Sequence, residues 1–530
     1  MATENLPPTD LQAEVLVVGA GPTGLMLATW LRRLGVDVIV VDRKGGPTRE
    51  SRALVLQARS LELYDQLGIV AAVRAASVRV RQVAPGWERR VLAAVHIGRP
   101  GAAVTPYPGL HVLEQSENER ILYETLRSHG GEVLWQHALE GLEVHHGEAA
   151  GTSASTVASA RRPGAAGGDA ITIGARFVVG ADGSGSAVRR LSGIHFDGSS
   201  SSQVFFVCDA TAVRGLVEGA VNLRLGRRRF LLAFPMGSRG DARLLGLSGM
   251  PTDAPAGDVE AAVRRGVGTT FGVEWGGSRW FSQYRVHHRV AASFRRGPVL
   301  LAGDAAHVHS PVGAQGMNTG LQDAHNLAMK LAEVVRGTAT ESSLDAYERE
   351  RRPVAERLIG TTDRAFGLIT SPRLLPRLAR MAIAVVVPVV AGIVPRTPAG
   401  TRAFEYLGQL RIHYAMPGEG VGRSGDRRRR RRRRDPIVGR RLRWTGANFA
   451  ALRSATWQVH TYGSETLAKT ARNTAASLGL DAHGYPAHRP FDDDTLYLVR
   501  PDGFVAARAR MDAADEVFRR SLLAHRGIRN

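Results

Sequence analysis

Three clusters of glycine and aspartate hold the residues best suited to chemistry in this chain: Gly19-Ala20-Gly21-Pro22-Thr23-Gly24, Gly180-Ala181-Asp182-Gly183 and Gly303-Asp304-Ala305-Ala306-His307. In the first, Gly19 permits a tight turn, Gly21 lets the backbone approach a pyrophosphate, and Gly24 allows a helix to pack closely on a strand. Pro22 and Thr23 complete the loop. A lone G-x-G-x-x-G motif fits many loops. Three clusters in this order point to one large bound dinucleotide.

The elements that must position these residues are legible around them. Glu14 to Val18 reads as a buried parallel strand, and Leu25 to Leu31 as a helix with apolar residues at helical spacing. The N-terminus of that helix offers unpaired N–H groups and a partial positive charge to phosphates. A second strand, Asp37 to Val41, ends at Asp42, about twenty residues beyond the loop, where an acidic side chain accepts hydrogen bonds from a ribose. Arg43 follows it. Asp304 comes after the apolar strand Val299 to Ala302, and the stretch Gly313 to Asn318 leads into a helix expected from about Thr319 to Val335.

Together the clusters resemble the class A flavoprotein monooxygenases, the group that includes para-hydroxybenzoate hydroxylase. The segment Pro311 to Ala324 continues the match. The resemblance implies an α/β fold with a Rossmann-like FAD-binding domain, an antiparallel-sheet substrate domain and a C-terminal thioredoxin-like domain. It implies FAD as the bound dinucleotide, and NADPH as a reductant that needs no second Rossmann domain. Asp182 matches a motif touching both nucleotides, and Gly303-Asp304 a ribityl-binding motif. Gly316, Met317 and Asn318 would present backbone N–H groups to the pyrimidine edge of the flavin. Arg52 and Gln115 match further FAD contacts, with Glu119 as a helix-capping partner of Gln115. Arg189 and Arg190 stand open to phosphate binding or to a helix-surface role. Pro311 would wall the pocket, so Arg52 and Pro311 are the candidates nearest the reacting atoms.

The implied activity is transfer of one oxygen atom from O₂, through a flavin C4a-hydroperoxide, to an aromatic polyketide-type substrate, with ring hydroxylation as the outcome. Baeyer–Villiger oxygenation of a polyketide ketone and hydroxylation that inactivates an antibiotic are the alternatives, because the pocket decides between them, and a basic nucleic-acid-binding protein is the remote one. Among the histidines, His287, His288, His307 and His309 read as structural, and no catalytic base stands out.

Composition bounds the reading. A chain of 530 residues, 44% of them hydrophobic, can build two or three cored domains. Its single cysteine, Cys208, excludes a disulfide framework and a cysteine-rich zinc site, and suits a reducing cytoplasm. Cys208 follows the apolar run Val204 to Val207 and reads as a buried small hydrophobe. Met1 to Gln12 lacks a signal-peptide pattern. The apolar run Met381 to Val394, interrupted by Pro388, falls short of the roughly twenty residues that cross a bilayer. Much of the net charge of +21 comes from the unbroken run Arg427 to Arg434. No nucleic-acid-binding motif accompanies that run, which reads as a solvated loop departing from the family pattern and not as a specific nucleic-acid partner site.

The motifs divide the chain. Residues 13–195 and 285–400 are expected to form the FAD-binding domain, 196–284 the substrate sheet with a contribution from 76–104, and 401–530 the C-terminal domain. Gly151 to Gly168, rich in Ala, Ser and Gly, reads as a flexible excursion. Thr495 to Ala506 reads as a hairpin around Arg500-Pro501-Asp502-Gly503, typical of aromatic polyketide hydroxylases and related phenol hydroxylases. Without a Cys-x-x-Cys pair the C-terminal domain is left with packing or homodimer contact.

Overall fold

The computed structural model describes residues 9–48, 54–145, 155–162, 170–227, 229–237, 240–309, 315–370, 397–417 and 435–528. The expected sites Arg52 and Pro311, the apolar run Met381 to Val394 and the arginine run Arg427 to Arg434 lie outside them.

Strands buried on both faces need unbroken apolar runs, and Val15-Leu16-Val17-Val18 is such a run. Leu11–Val18 lies in parallel between Val38–Asp42 and Ala170–Gly180, and Val133–Trp135 continues the sheet beyond Val38–Asp42. The long strand Ala170–Gly180 serves two partners. Its first half runs antiparallel to Ser155–Arg161, and its end pairs in parallel with Val299–Leu301. This register brings Gly180 beside both Val18 and Leu301, so the three clusters emerge from neighbouring strand ends. The helices Pro22–Arg33 and Gly316–Val335 pack on the sheet and share its largest apolar core.

The strand Ser155–Arg161 corrects the expectation of a flexible excursion across Gly151 to Gly168. Thr156, Ala158 and Ala160 alternate inward and are buried against the neighbouring strands. Small residues hid this period-two pattern, because alanine and threonine carry little hydropathic contrast.

A second, mainly antiparallel sheet forms the roof. Its order is His307–Val308, Gly277–Ala291, Phe196–Thr211, Ala242–Leu247, Phe230–Pro235, Ala220–Leu225, Gln82–Trp87 and Arg90–Val91. Gly277–Ala291 runs unbroken through position 284, and His307–Val308 pairs with its end, so the roof and the nucleotide fold share strands. The helix Ala256–Phe271, not anticipated within this region, buries Val259, Val263, Val267 and Phe271 against the outer face beside Cys208. Cys208 is buried as expected, and burial pushes its thiol up to about 11. A three-stranded sheet of Val55–Leu56, Leu110–Val112 and Val78–Val80 fills the space below the roof.

The C-terminal region has a four-stranded sheet ordered Asp481–Tyr485, Gln458–Tyr462, Thr495–Val499, Val505–Arg510. The first two strands are parallel and the others antiparallel. The parallel pair is joined by the helix Glu465–Leu478, which starts at a Ser464 cap and stops at Gly479 with φ 65°. With the final helix Ala514–His525, this is the thioredoxin-like arrangement. The hairpin around Arg500 to Gly503 forms as expected.

Candidate cofactor and substrate site

Packing fixes two of the first three glycines. Gly19 has φ +106°, and a Cβ there would collide with the Ala181 carbonyl. A Cβ on Gly24 would collide with the Gly19 carbonyl. Gly21 differs, since a Cβ would meet nothing within 4 Å. The helix Pro22–Arg33 begins from Gly21 without a side-chain cap. Open space beside uncapped helical N–H groups suits a pyrophosphate. Asp42 holds this loop: its Oδ2 accepts from Ala20 N at 2.6 Å and its Oδ1 from Lys44 N at 2.8 Å. An ionised carboxylate retains further acceptor positions for ribose hydroxyls. Arg43 beside it is exposed.

The other clusters close on the first. Ala181 N donates to Val18 O at 2.8 Å. Thr23 sits against Gly303, where a Cβ would lie 2.6 Å from the Thr23 Oγ1. Asp182 turns into its own loop, accepting from Ala187 N at 2.6 Å and Val188 N at 3.2 Å. Burial raises its pKa against these bonds, and its Oδ1 is buried without a partner among the described residues. Arg189 is a brace, donating to Ala305 O at 2.8 Å and Ser184 O at 2.7 Å. Arg190 is exposed and donates to Gly185 O. Asp304 is exposed on the short turn Gly303–Ala305.

Two of the segments expected to face the flavin are tied to each other. Asn318 accepts from Gln57 N at 2.9 Å and Ser60 Oγ at 2.7 Å, and donates to Val55 O at 2.8 Å. Its side chain therefore locks the start of the helix Ala58–Leu67, while Gly316 and Met317 begin the helix Gly316–Val335 without a side-chain cap. Asn118 Nδ2 lies 3.5 Å from Met317 Sδ, joining that helix start to Gln115–Ser128. Gln115 donates to Glu119 Oε1 at 2.9 Å. The expected capping role of Glu119 gives way to bracing: one oxygen takes the Gln115 amide, and its Oε2 accepts from Thr48 N at 2.8 Å and Lys44 Nζ at 3.3 Å, pinning the loop after Asp42.

Two features lay beyond the sequence reading. On the roof, Asp209 and Arg243 are register partners whose buried side chains form a bidentate pair at 2.6 and 2.7 Å. Below them a cavity of about 250 Å³ is lined by Val78, Val112, Glu114, Ser116, Glu117 and Met236, among others. Burial raises the Glu114 carboxyl, while Arg243 opposes the shift. Nothing in a one-dimensional pattern pairs Asp209 with Arg243. Alternation in both strands, with a charge on the face shared with Phe205 and Leu245, was the available signal.

The uncapped helix ends, the glycine cradle and the three converging strand ends define a dinucleotide-binding flavoprotein fold. The family model described as an FAD binding domain matches residues 12–362. The chain is 34% identical to the 6-methylpretetramide 4-monooxygenase of Streptomyces rimosus, over 79% of this chain and 74% of that protein. It is 32% identical to the rifampicin monooxygenase of Rhodococcus hoagii, over 94% and 97%. Among solved structures, the anhydrotetracycline hydroxylase OxyS from Streptomyces rimosus superposes with a TM-score of 0.76 at 27% identity, covering 98% of this chain and all 100% of that one. The chain belongs to the FAD-binding monooxygenase family, and it is an FAD-dependent monooxygenase. No helix among the described residues is long and apolar enough to cross a membrane.

Proposed function

We propose that the protein hydroxylates a ring of an aromatic polyketide, using NADPH as the reductant. The observation that carries the substrate class is the roof's inner face. Leu223, Leu232, Phe234 and Tyr284 project there only half-buried, leaving an apolar surface for a flat ring system. The named activities of the pretetramide and anhydrotetracycline enzymes support the same class.

In this reading residues 13–195 and 285–400 hold FAD, the roof sheet with 76–104 covers the substrate, and 401–530 packs behind. Gly19, Gly21, Pro22, Thr23 and Gly24 cradle the pyrophosphate, with Asp42 and Arg43 at the adenosine end. Asp304 and Gln115 hold the ribityl chain, Asp182 stands near it, and Gly316, Met317 and Asn318 face the flavin through backbone N–H groups. The family resemblance assigns Arg52 and Pro311, which lie outside the described residues, to the reacting ring. Bound FAD supplies two-electron reduction and activation of O₂. The chain's residues orient the substrate ring, present donors where negative charge develops and exclude water.

The test is incubation of purified, FAD-loaded protein with NADPH, ¹⁸O₂ and a panel of tetracyclic phenols and ketones. Substrate-stimulated NADPH oxidation with one ¹⁸O on an aromatic carbon is expected. Label inserted beside a carbonyl would establish the Baeyer–Villiger outcome instead, and loss of antibacterial potency in a labelled product would mark a drug-inactivating enzyme. Colourless protein that takes up no FAD would end the reading.

A further inference from the structure

A buried chain of hydrogen bonds links the flavin-facing end of the helix Gly316–Val335 to the C-terminal region. Asp323, two turns into that helix, is fully buried. Its Oδ2 accepts from His307 Nε2 at 2.7 Å and from Gly303 N at 3.2 Å. Its Oδ1 accepts from Arg351 Nε at 2.6 Å. Arg351, also fully buried, donates through Nη2 to Thr319 O at 3.1 Å and through Nη1 to the Tyr414 hydroxyl at 2.9 Å. Tyr414 stacks on Phe504, ring centroids 4.1 Å apart, just past the Arg500–Gly503 turn. One guanidinium therefore touches the first turns of the flavin-facing helix, the carboxylate that holds the Gly303 turn, and the C-terminal region.

We propose that Arg351 is a positioning residue that sets the Gly303–Ala305 turn and the start of the Gly316–Val335 helix for FAD, and that the C-terminal region acts on the flavin through it. The inference rests on the FAD assignment and not on the identity of the substrate. Geometry carries it, because removing Arg351 frees three groups together. Asp323 loses the guanidinium and keeps His307 and Gly303 N, Thr319 O loses its side-chain donor, and the Tyr414 hydroxyl loses its hydrogen bond to the nucleotide fold. A buried carboxylate stripped of its guanidinium behind the helix would oppose the negative charge that reduction places on the flavin. Lysine keeps the charge without the planar fork that reaches three acceptors.

The experiment compares Arg351→Lys, Arg351→Met, Tyr414→Phe and Arg500→Met in the full chain. It reads FAD dissociation constant, flavin midpoint potential and melting temperature. Arg351→Met is expected to weaken FAD by more than about tenfold and move the potential to more negative values. Arg351→Lys should weaken FAD yet hold the potential near wild type. Tyr414→Phe, which deletes one hydrogen bond and keeps the stack, should weaken FAD by a few-fold. Arg500→Met, which removes a guanidinium 5.7 Å from the Tyr414 ring and breaks the adjoining charge network, should lower the melting temperature most while moving the potential less than Arg351→Met. FAD affinity that merely tracks melting temperature across all four variants, or an unchanged potential in Arg351→Met, would overturn the proposal. Wild-type protein that binds no FAD would instead overturn the cofactor assignment.

Discussion

The nucleotide cradle and the C-terminal turn treat polar groups in opposite ways. Around Gly21 the helix Pro22–Arg33 has no side-chain cap, and Asp182 Oδ1 is buried without a partner among the described residues. Around Arg500 the polar atoms close on one another. Arg500 binds Glu350 at 2.6 and 2.9 Å and Asp502 at 2.6 and 3.0 Å, while Lys330 Nζ donates to Glu350 at 2.9 Å and Asn326 donates to both carboxylates. Arg59 adds a bond to Asp502 O at 3.0 Å. Folded proteins satisfy buried polar groups, so an unpaired carboxylate oxygen beside an uncapped helix start suits a ligand, and charges that close on one another mark a joint. The C-terminal region is thus fastened to the nucleotide fold by buried charge.

The comparison breaks most visibly at the joint. Arg500→Met leaves Glu350 and Asp502 buried without their main partner, and removal of one member of a buried pair costs about 3–5 kcal/mol. A fall of that size in chemical denaturation is expected, with Glu350→Gln in the same background recovering part of it. In the cradle, Gly24→Ala drives a methyl group into the Gly19 carbonyl, which the backbone cannot yield without shifting. A loss of about 3 kcal/mol is expected, with protein purified free of yellow colour. Stable, yellow Gly24→Ala protein would show that the loop is not held by this contact.

How far the sequence reveals this division follows from range. The cradle is local: Gly19, Gly21 and Gly24 lie within one turn and helix start, and the apolar runs beside them declare their strands. The roof strands Ala220–Leu225 and Phe230–Pro235 were equally readable from alternation. Ser155–Arg161 was hidden by small side chains. The joint was unreadable for another reason. Glu350, Arg500 and Lys330 are far apart in sequence, and each alone looks like a solvated charge. Only tertiary packing, which brings the hairpin turn against the helix, makes a buried network of them.

Two substitutions within the cradle sharpen the contrast between ligand room and packing. Gly21→Ala places a methyl group in open space, so the unliganded protein should keep its stability within about 0.5 kcal/mol. FAD affinity should fall by roughly tenfold, a loss near 1.4 kcal/mol, because the added methyl crowds the pyrophosphate. Asp304→Ala should likewise lower FAD affinity roughly tenfold, because the proposed acceptors for the ribityl chain go with it. Isothermal titration of the stripped protein with FAD measures both. Unchanged FAD affinity in either variant would detach that residue from the cofactor.

The smallest expected effect separates two carboxylates at the joint by the sign of their pH dependence. Burial would raise Glu350, but Arg500 and Lys330 overcome it and hold the carboxyl below its usual 4.5. Its contribution is complete above pH 4.5 and is lost as pH falls toward the lowered folded value. Glu333 sits where the helix Gly316–Val335 meets the C-terminal region, accepting from Trp457 Nε1 at 2.6 Å, and burial raises it above 4.5. Its protonated form is the one the fold prefers, so stability declines as pH rises from 4.5 through the raised value. Glu333→Gln keeps an acceptor for Trp457 and removes that decline. A gain of a few tenths to about 1 kcal/mol at pH 7 is expected, vanishing below pH 4.5. Denaturation curves across that range would show the variant and wild type converging in acid. Wild type more stable than Glu333→Gln at neutral pH, with the difference disappearing in acid, would instead mean that Glu333 is held ionised, as Glu350 is, and that the joint extends to the far end of the helix Gly316–Val335.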